Sequence, residues 1–299
     1  MKQFVFYVFC IFILLVFHQE TIAGTKNGLL LWYQTLIPSL LPFILVTNAL
    51  SETHSYHAIT RYFQNKKNNS IFELIAIVLG NICGYPIGAK IINDFVTYKF
   101  ITNDRANQII SLSSQSSPMF LLGYVYSNIL HIEIPLSVFL LSIYVPVFIY
   151  FLLLKSHSSN MNSHNTVCIP HSLNLKETFT HTVEIMVSIG FYVIIFSIAL
   201  SVLVPITHNN FLKVMLSLLE ITNGLNLLSI TQLQYTLKIP LICMLCSFGG
   251  VCSMFQVKSV LTYPGINMKK YLADKCILSA GTFFIVYLYL TYINTFFPS

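Results

Sequence analysis

The stretch from Leu79 to Asn93, LGNICGYPIGAKIIN, sets glycines, a proline, asparagines and a lysine inside an apolar segment. Backbone in hydrocarbon must satisfy its own hydrogen bonds, so such breaks survive only where protein or a water-lined cavity covers them. The second half holds a comparable stretch, Ser247 to Leu261, where adjacent Gly249 and Gly250 are followed by Gln256 and Lys258. Interrupted apolar segments at corresponding places in two halves point to a transporter-type site.

Composition agrees with a bilayer. The 299 residues are 55% hydrophobic and 9% charged, against about 25% charged in soluble domains. The expected fold is all-α: a polytopic helical membrane protein of two repeated halves, each with a broken or re-entrant Gly-rich segment. The net charge of +6 comes from basic residues scattered through short loops, as topology signals are. No basic run exceeds Lys66-Lys67 or Lys269-Lys270, which argues against nucleic acid. Cys243 and Cys246 have a redox-like or zinc-like spacing, but no second pair follows and they lie in an apolar segment. They read as small buried hydrophobes.

The chain divides into an N-terminal span (1–23), a first membrane half (24–154), a polar linker (155–180) and a second half (181–299). Phe4–Phe17 has the short apolar core of a signal peptide, with small Ala23-Gly24 after it, or is a first span reaching Ala23. Only Lys2 precedes it and the next apolar segment follows closely, so an uncleaved span is the expectation. Gly28–Leu50 carries Pro38 and Pro42, which must kink or break its helix. Ile71–Ile92 holds the first break. Ile109–Ile129 contains Ser113-Ser114-Gln115-Ser116-Ser117-Pro118, an unusual polar run in an apolar segment. In the linker, His157, His164 and His171 recur every seven residues, without the close spacing or scaffold a metal site needs. Phe211–Thr231 reads as one amphipathic helix with Lys213, Ser217, Glu220 and Gly224 on one face. Pro135–Leu154 is a conventional span, Ile239–Tyr263 holds the second break, and Leu272–Phe297 is the last segment.

The halves align with Gly84 on Gly250, Ile101–Arg105 on Asn267–Tyr271, and Ser113-Ser114-Gln115 on Ser279-Ala280-Gly281. If both glycine segments are hairpins, more Lys and Arg fall on the inside than if both cross. The positive-inside rule therefore favours hairpins, which makes the halves inverted.

The candidate solute-binding residues gather at the breaks. Gly84 and Gly88 allow close approach and positive φ, and Tyr85 and Pro86 lie between them. Gly249 and Gly250 mark the second break. Asn81, Gln115, Asn223 and Gln256 offer amides that donate and accept. Ser113, Ser114, Ser116 and Ser117 offer hydroxyls. Lys90 can pair with an anion, and Glu220 can carry a proton or counter a cation; ionisable groups in membrane segments are functional candidates. Plainer readings stand beside these. The serines can serve helix packing, Lys90 and Lys258 can snorkel, and Glu220 can pair with Lys213. No His-Glu-x-x-His, Gly-x-Ser-x-Gly or P-loop occurs, so neither an enzyme nor an ATP-driven pump is expected, and no cofactor or metal.

Leu36-Ile37-Pro38-Ser39-Leu40-Leu41-Pro42-Phe43, Gly84-Tyr85-Pro86-Ile87-Gly88-Ala89-Lys90 and Ser117-Pro118-Met119-Phe120 resemble the YlbJ-type sporulation integral membrane proteins, of the nucleoside-recognition or Gate-domain class. Glu220-Ile221-Thr222-Asn223-Gly224 and Ser247-Phe248-Gly249-Gly250 with Gln256 agree. Ser113-Ser114-Gln115-Ser116 stands where the family often has asparagines, and Met254 where it has a histidine. The resemblance implies a multi-pass protein of a bacterial mother-cell or forespore membrane, acting in spore cortex formation. It also implies distant similarity to nucleoside transporters and to the gate region of ferrous-iron transporters. Two functions follow as expectations. One is a permease for a small polar solute such as a nucleoside or dicarboxylate. The other is a non-transporting assembly factor that contacts other sporulation membrane proteins or further copies of itself.

Overall fold

The computed structural model describes residues 2–51, 69–97, 99–131, 133–156 and 175–296. Among these every regular element is a helix, as backbone in a bilayer requires. In chain order they are α1 (Lys2–Val16), α2 (His18–Leu31), a π-helical turn (Trp32–Leu36), α3 (Ile37–Ser51), α4 (Asn69–Cys83), α5 (Ile87–Thr97) and α6 (Asn103–Ser113). Next come α7 (Pro118–Phe120, running on as a π-helix over Leu121–Ile129), α8 (Leu136–Ser156) and α9 (Leu175–Leu203). The last are α10 (Asn210–Ser217), α11 (Ile221–Ile230), α12 (Tyr235–Phe248), α13 (Gly250–Ser259) and α14 (Met268–Phe296). Among the described residues five segments are long and apolar enough to cross a bilayer: His18–Ala49, Leu136–Leu154, Thr178–Leu203, Tyr235–Ser259 and Met268–Ile293. They turn large apolar side chains outward, Phe148, Phe191 and Leu288 among them. This is a multi-pass helical membrane protein.

The prolines of the first crossing do not break it. The helix continues through Pro42, and a π-helical turn just before Pro38 absorbs the irregularity. Ser39 Oγ donates to the Thr35 and Leu36 carbonyls, at 2.7 and 3.2 Å. In the linker, α9 begins at Leu175, several residues before the expected boundary at 181. His157, His164 and His171 lie outside the described residues. Cys243 and Cys246 are buried free thiols in an apolar cluster, as their setting suggested.

Two of the interruptions turn the chain back and two do not. Eight residues along a straight helix lie about 12 Å apart. A Cβ added at Gly88, however, would stand 3.0 Å from Gly80 Cα, so α4 and α5 form a hairpin. Their lengths, 15 and 11 residues, reach only about 22 and 16 Å, short of a hydrocarbon core of about 30 Å. The tip is Gly84, at φ +81°, and Tyr85-Pro86. At the hairpin base Phe72 and Phe100 stack at 4.8 Å, with Phe95 edge-on to both.

The second hairpin is not where the sequence reading put it. Phe211–Thr231 is not one amphipathic helix: it breaks after Ser217, and Gly224 packs back on the Ser217 carbonyl. The buried Glu220 carboxylate caps α11, accepting from the Thr222 and Asn223 N–H groups at 3.0 and 2.8 Å. Satisfying a helix's first N–H groups with a carboxylate is favourable both as a cap and against the helix dipole, and it stops α10 from running on. Glu220 therefore does not pair with Lys213. Conversely, Gly249 and Gly250, at φ +85° and +81°, interrupt a crossing without reversing it; α12 and α13 do not lie side by side. The break between α6 and α7 at Ser114–Ser117 likewise ends in a fresh cap, Ser117 Oγ accepting from Phe120 N–H at 3.3 Å beside Pro118.

Hydrogen bonds define the two ends of the bundle. At one end Arg105 pairs with Glu73, and Asn93 accepts from the Thr262 and Tyr263 N–H groups. Asn107 donates to the Gly265 carbonyl, and Lys90 and Thr182 meet at Asn48. At the other end Tyr235 donates to the Glu133 carbonyl, Asn210 to that of Gln232, and Lys238 to that of Ser229. The α4–α5 hairpin opens at the first end and the α10–α11 hairpin at the second, with both tips directed inward.

Candidate functional site

The four interruptions meet inside the bundle. Tyr85 N–H, at the first hairpin tip, donates to the Gln115 carbonyl at 3.0 Å. Ser116 Oγ donates to the Cys246 carbonyl at 2.7 Å, linking the two broken crossings. The Val251 and Cys252 N–H groups, at the start of α13, donate to the Leu218 and Leu219 carbonyls, each at 2.8 Å. Backbone groups freed by each break are thus satisfied by another break, which is what hydrocarbon depth demands. The approach is too close for side chains at Gly84, where an added Cβ would stand 2.9 Å from Ser117 N. At Gly249 it would stand 3.2 Å from the Tyr85 ring.

A cavity of about 20 Å³ lies at this crossing, enough for one water molecule. Its polar lining is Ser39, Tyr85, Ser116, Ser117, Glu220 and Gln256. Ser117 also caps α7 and Glu220 caps α11, so both are held rigidly by their own helices. Gln256 Nε2 sits 3.3 Å from Cys252 Sγ. Of the sequence candidates, Tyr85, Ser116, Ser117, Glu220 and Gln256 line this one cavity.

Other candidates serve the frame. Gly84 and Pro86 shape the first tip, and Gly250 lets α13 approach Leu218 and Glu220. Gly88 has a negative φ and packs on the Ser113 carbonyl, so close approach is its role and not left-handed backbone. Asn81 Nδ2 ties α4 to α6 through the Leu112 carbonyl at 2.9 Å. Lys90 does not reach the cavity: its ammonium donates to Asn48 Oδ1 at 2.7 Å and lies 3.8 Å from Asp94. Asn223 Nδ2 donates to Glu220 and to Ser197 Oγ, and the residue borders a separate recess with Asn27, Gln34 and Asn226. Ser114 and Gln115 are fully buried and offer their oxygens to Lys275.

Lys275 and Asp274 were missed. Both are buried within the last membrane segment, 1% and 3% exposed. The available signal was simply two adjacent ionisable residues inside a span, which are functional candidates by default. Asp274 accepts from Tyr150 OH at 2.8 Å and Ser111 Oγ at 3.2 Å. Among the described residues no three His, Cys, Asp or Glu side chains gather as a metal site.

Fold and site together define a polytopic membrane protein whose broken segments enclose a small cavity with both polar and apolar walls, the latter including Leu36, Phe120, Ile189 and Val193. The chain is 22% identical over 304 residues to the sporulation integral membrane protein YlbJ of Bacillus subtilis (strain 168), covering 85% of this chain and 73% of that protein. No family profile and no solved structure matches it.

Proposed function

We propose that this chain is a permease-like protein that binds a small, uncharged, hydrogen-bonding solute between its helix breaks, and that it acts in sporulation, as its Bacillus subtilis relative is named for. The observation carrying this reading is the convergence of Tyr85, Ser116, Ser117, Glu220 and Gln256, from four separate elements, on one cavity. Hydroxyls and an amide in a low-dielectric setting suit a nucleoside or a similar polyol, because each buried polar group must find a partner. A dicarboxylate fits less well. Glu220 is the charged group in the lining, and Lys90, the cation expected to meet an anion, is turned to Asn48 and Asp94. The cavity is far below the about 300–1,000 Å³ of sites that enclose drug-sized ligands, so solute entry requires a hairpin tip to move away.

The element order supports inverted halves: hairpin, broken crossing, long helix, once as α4–α8 and once as α10–α14. In this reading α4–α5 corresponds to α10–α11, and Ser114–Ser117 to Gly249–Gly250. Gly84 is then not the partner of Gly250, as the sequence alignment had it. Lys90, Lys99, Arg105, Lys176, Lys258, Lys269 and Lys270 lie toward the first end of the bundle, and Lys26, Lys213 and Lys238 toward the second. The positive-inside rule makes the first end cytoplasmic. In a background without the native cysteines, Gln234→Cys should react with an impermeant maleimide in intact cells. Lys269→Cys should react only after permeabilisation. The reverse pattern would overturn the orientation.

Solute binding is tested by thermal unfolding of the detergent-purified protein with nucleosides, nucleobases, polyols, amino acids and dipicolinate. A binder at 100-fold over its Kd adds about 2.7 kcal/mol, a rise of roughly 5–10 °C for a chain of this size. Gln256→Ala should weaken the hit about tenfold or more, the scale of a lost hydrogen bond inside a buried site, while Lys269→Ala leaves it unchanged. No hit across the panel would reject the permease reading in favour of the assembly factor.

A further inference from the structure

Lys275 is the most unusual group in the molecule that the solute site does not use. Its ammonium is enclosed and has three oxygen acceptors: the Ser114 carbonyl at 3.0 Å, Gln115 Oε1 at 3.0 Å and the Ser247 carbonyl at 2.6 Å. An ammonium has three N–H donors and no acceptor, so all three are used. The first two oxygens belong to the break between α6 and α7. The third belongs to the last turn of α12, immediately before the break at Gly249.

Among the described residues no carboxylate joins the cluster. Asp274, the next residue, faces Tyr150 and Ser111, and the Glu220 oxygens are taken by Thr222 and Asn223. A buried charge normally demands an opposite charge or a metal-like shell of oxygen dipoles. Here it has the second. Carbonyls freed where broken membrane helices unwind are the groups with which such proteins coordinate small cations.

We propose that the Lys275 ammonium is a tethered monovalent cation: it fills a carbonyl-lined cation site between the two broken crossings and clamps them together without sodium or potassium. Removing the side chain beyond Cβ leaves an enclosed site with two backbone carbonyls and an amide oxygen facing inward. Such a site fits a free ammonium or potassium ion. The chain thus carries a latent monovalent-cation site that its own lysine occupies. This inference is independent of which solute the neighbouring cavity takes.

The test is thermal unfolding of the purified full chain at constant ionic strength in choline, sodium, potassium, ammonium and methylammonium chlorides. The wild-type protein should melt at one temperature in all five. Lys275→Ala should melt on the order of 10 °C lower in choline, as expected when three buried oxygens lose their donors and a cavity is left behind. It should recover at least half of that loss, saturably, in ammonium or potassium. Lys275→Met, which refills the space with an uncharged chain, should be insensitive to the cation.

Saturable stabilisation of the wild type by sodium or potassium would overturn the proposal, and so would a folded Lys275→Ala protein that no cation restores. If Lys275→Ala is not isolated folded in any salt, Lys275→Gln decides, since its amide keeps N–H donors without charge. Wild-type melting of Lys275→Gln would show that donors alone suffice and overturn the cation reading. A cation-insensitive loss comparable to that of Lys275→Met would uphold it.

Discussion

Gly88→Ala is expected to yield little folded protein. An added Cβ at Gly88 overlaps the Ser113 carbonyl oxygen, lies 2.6 Å from the carbonyl carbon and 3.0 Å from Gly80 Cα. All these neighbours are backbone, so no rotamer change relieves the overlap; α5 must move off both α4 and α6. Overpacking in a close-packed interior costs about 1–3 kcal/mol and more when backbone must shift. That is a large part of the total stability of an ordinary domain. The damage should also reach the site, because the same hairpin carries Tyr85, whose N–H holds the Gln115 carbonyl. Recovery of monodisperse protein from detergent measures the effect. Gly123→Ala is the control, since an added Cβ there meets nothing within 4 Å. Equal yields of the two variants would show that the hairpin does not need its close approach.

Glu73→Ala should be nearly as damaging, for an electrostatic reason. Arg105 Nε donates to Glu73 Oε1 at 2.9 Å and Nη2 binds Oε2, a bidentate pair with Arg105 also held by Gln108 and the Leu154 carbonyl. The Glu73 side chain is 7% exposed and that of Arg105 13%. Removing one partner strands a buried charge, at a cost of about 3–5 kcal/mol. Replacing both partners by apolar residues of similar volume removes the need for the charge. Glu73→Leu combined with Arg105→Met should therefore melt above Glu73→Ala alone. A double variant less stable than the single one would mean that Arg105 matters chiefly through Gln108 and Leu154.

How far the sequence revealed this arrangement depends on the range of each interaction. Glycines inside apolar segments, a serine-proline run and a low charge content are local. They announced an all-helical membrane protein and two of the places where its helices break, at Gly84 and Gly249, while the polar run at Ser114–Ser117 read only as an unusual stretch within a helix. They also picked out Tyr85, Ser116, Ser117, Glu220 and Gln256, which do share a cavity. The kind of break was less legible. Phe211–Thr231 has an unbroken helical periodicity, and only the capping of Asn223 and Thr222 by Glu220 turns it into a hairpin. Gly249-Gly250 looks like a turn, yet Leu218 and Leu219 hold the start of α13 so that the crossing continues.

By itself, then, the sequence determined the solvent the chain folds in, its helical class and the breaks at Gly84 and Gly249. Those follow from hydropathy, from missing side chains at glycine and from missing N–H groups at proline, all properties of a few neighbouring residues. The tertiary structure decided which break satisfies which, and so which polar groups remain for other work. Lys90 looked available but is committed to Asn48 and Asp94. Lys275 looked like part of an ordinary span but holds Ser114, Gln115 and Ser247 together. A buried polar group takes the nearest partner that packing supplies, and in this fold that partner is often more than a hundred residues away along the chain.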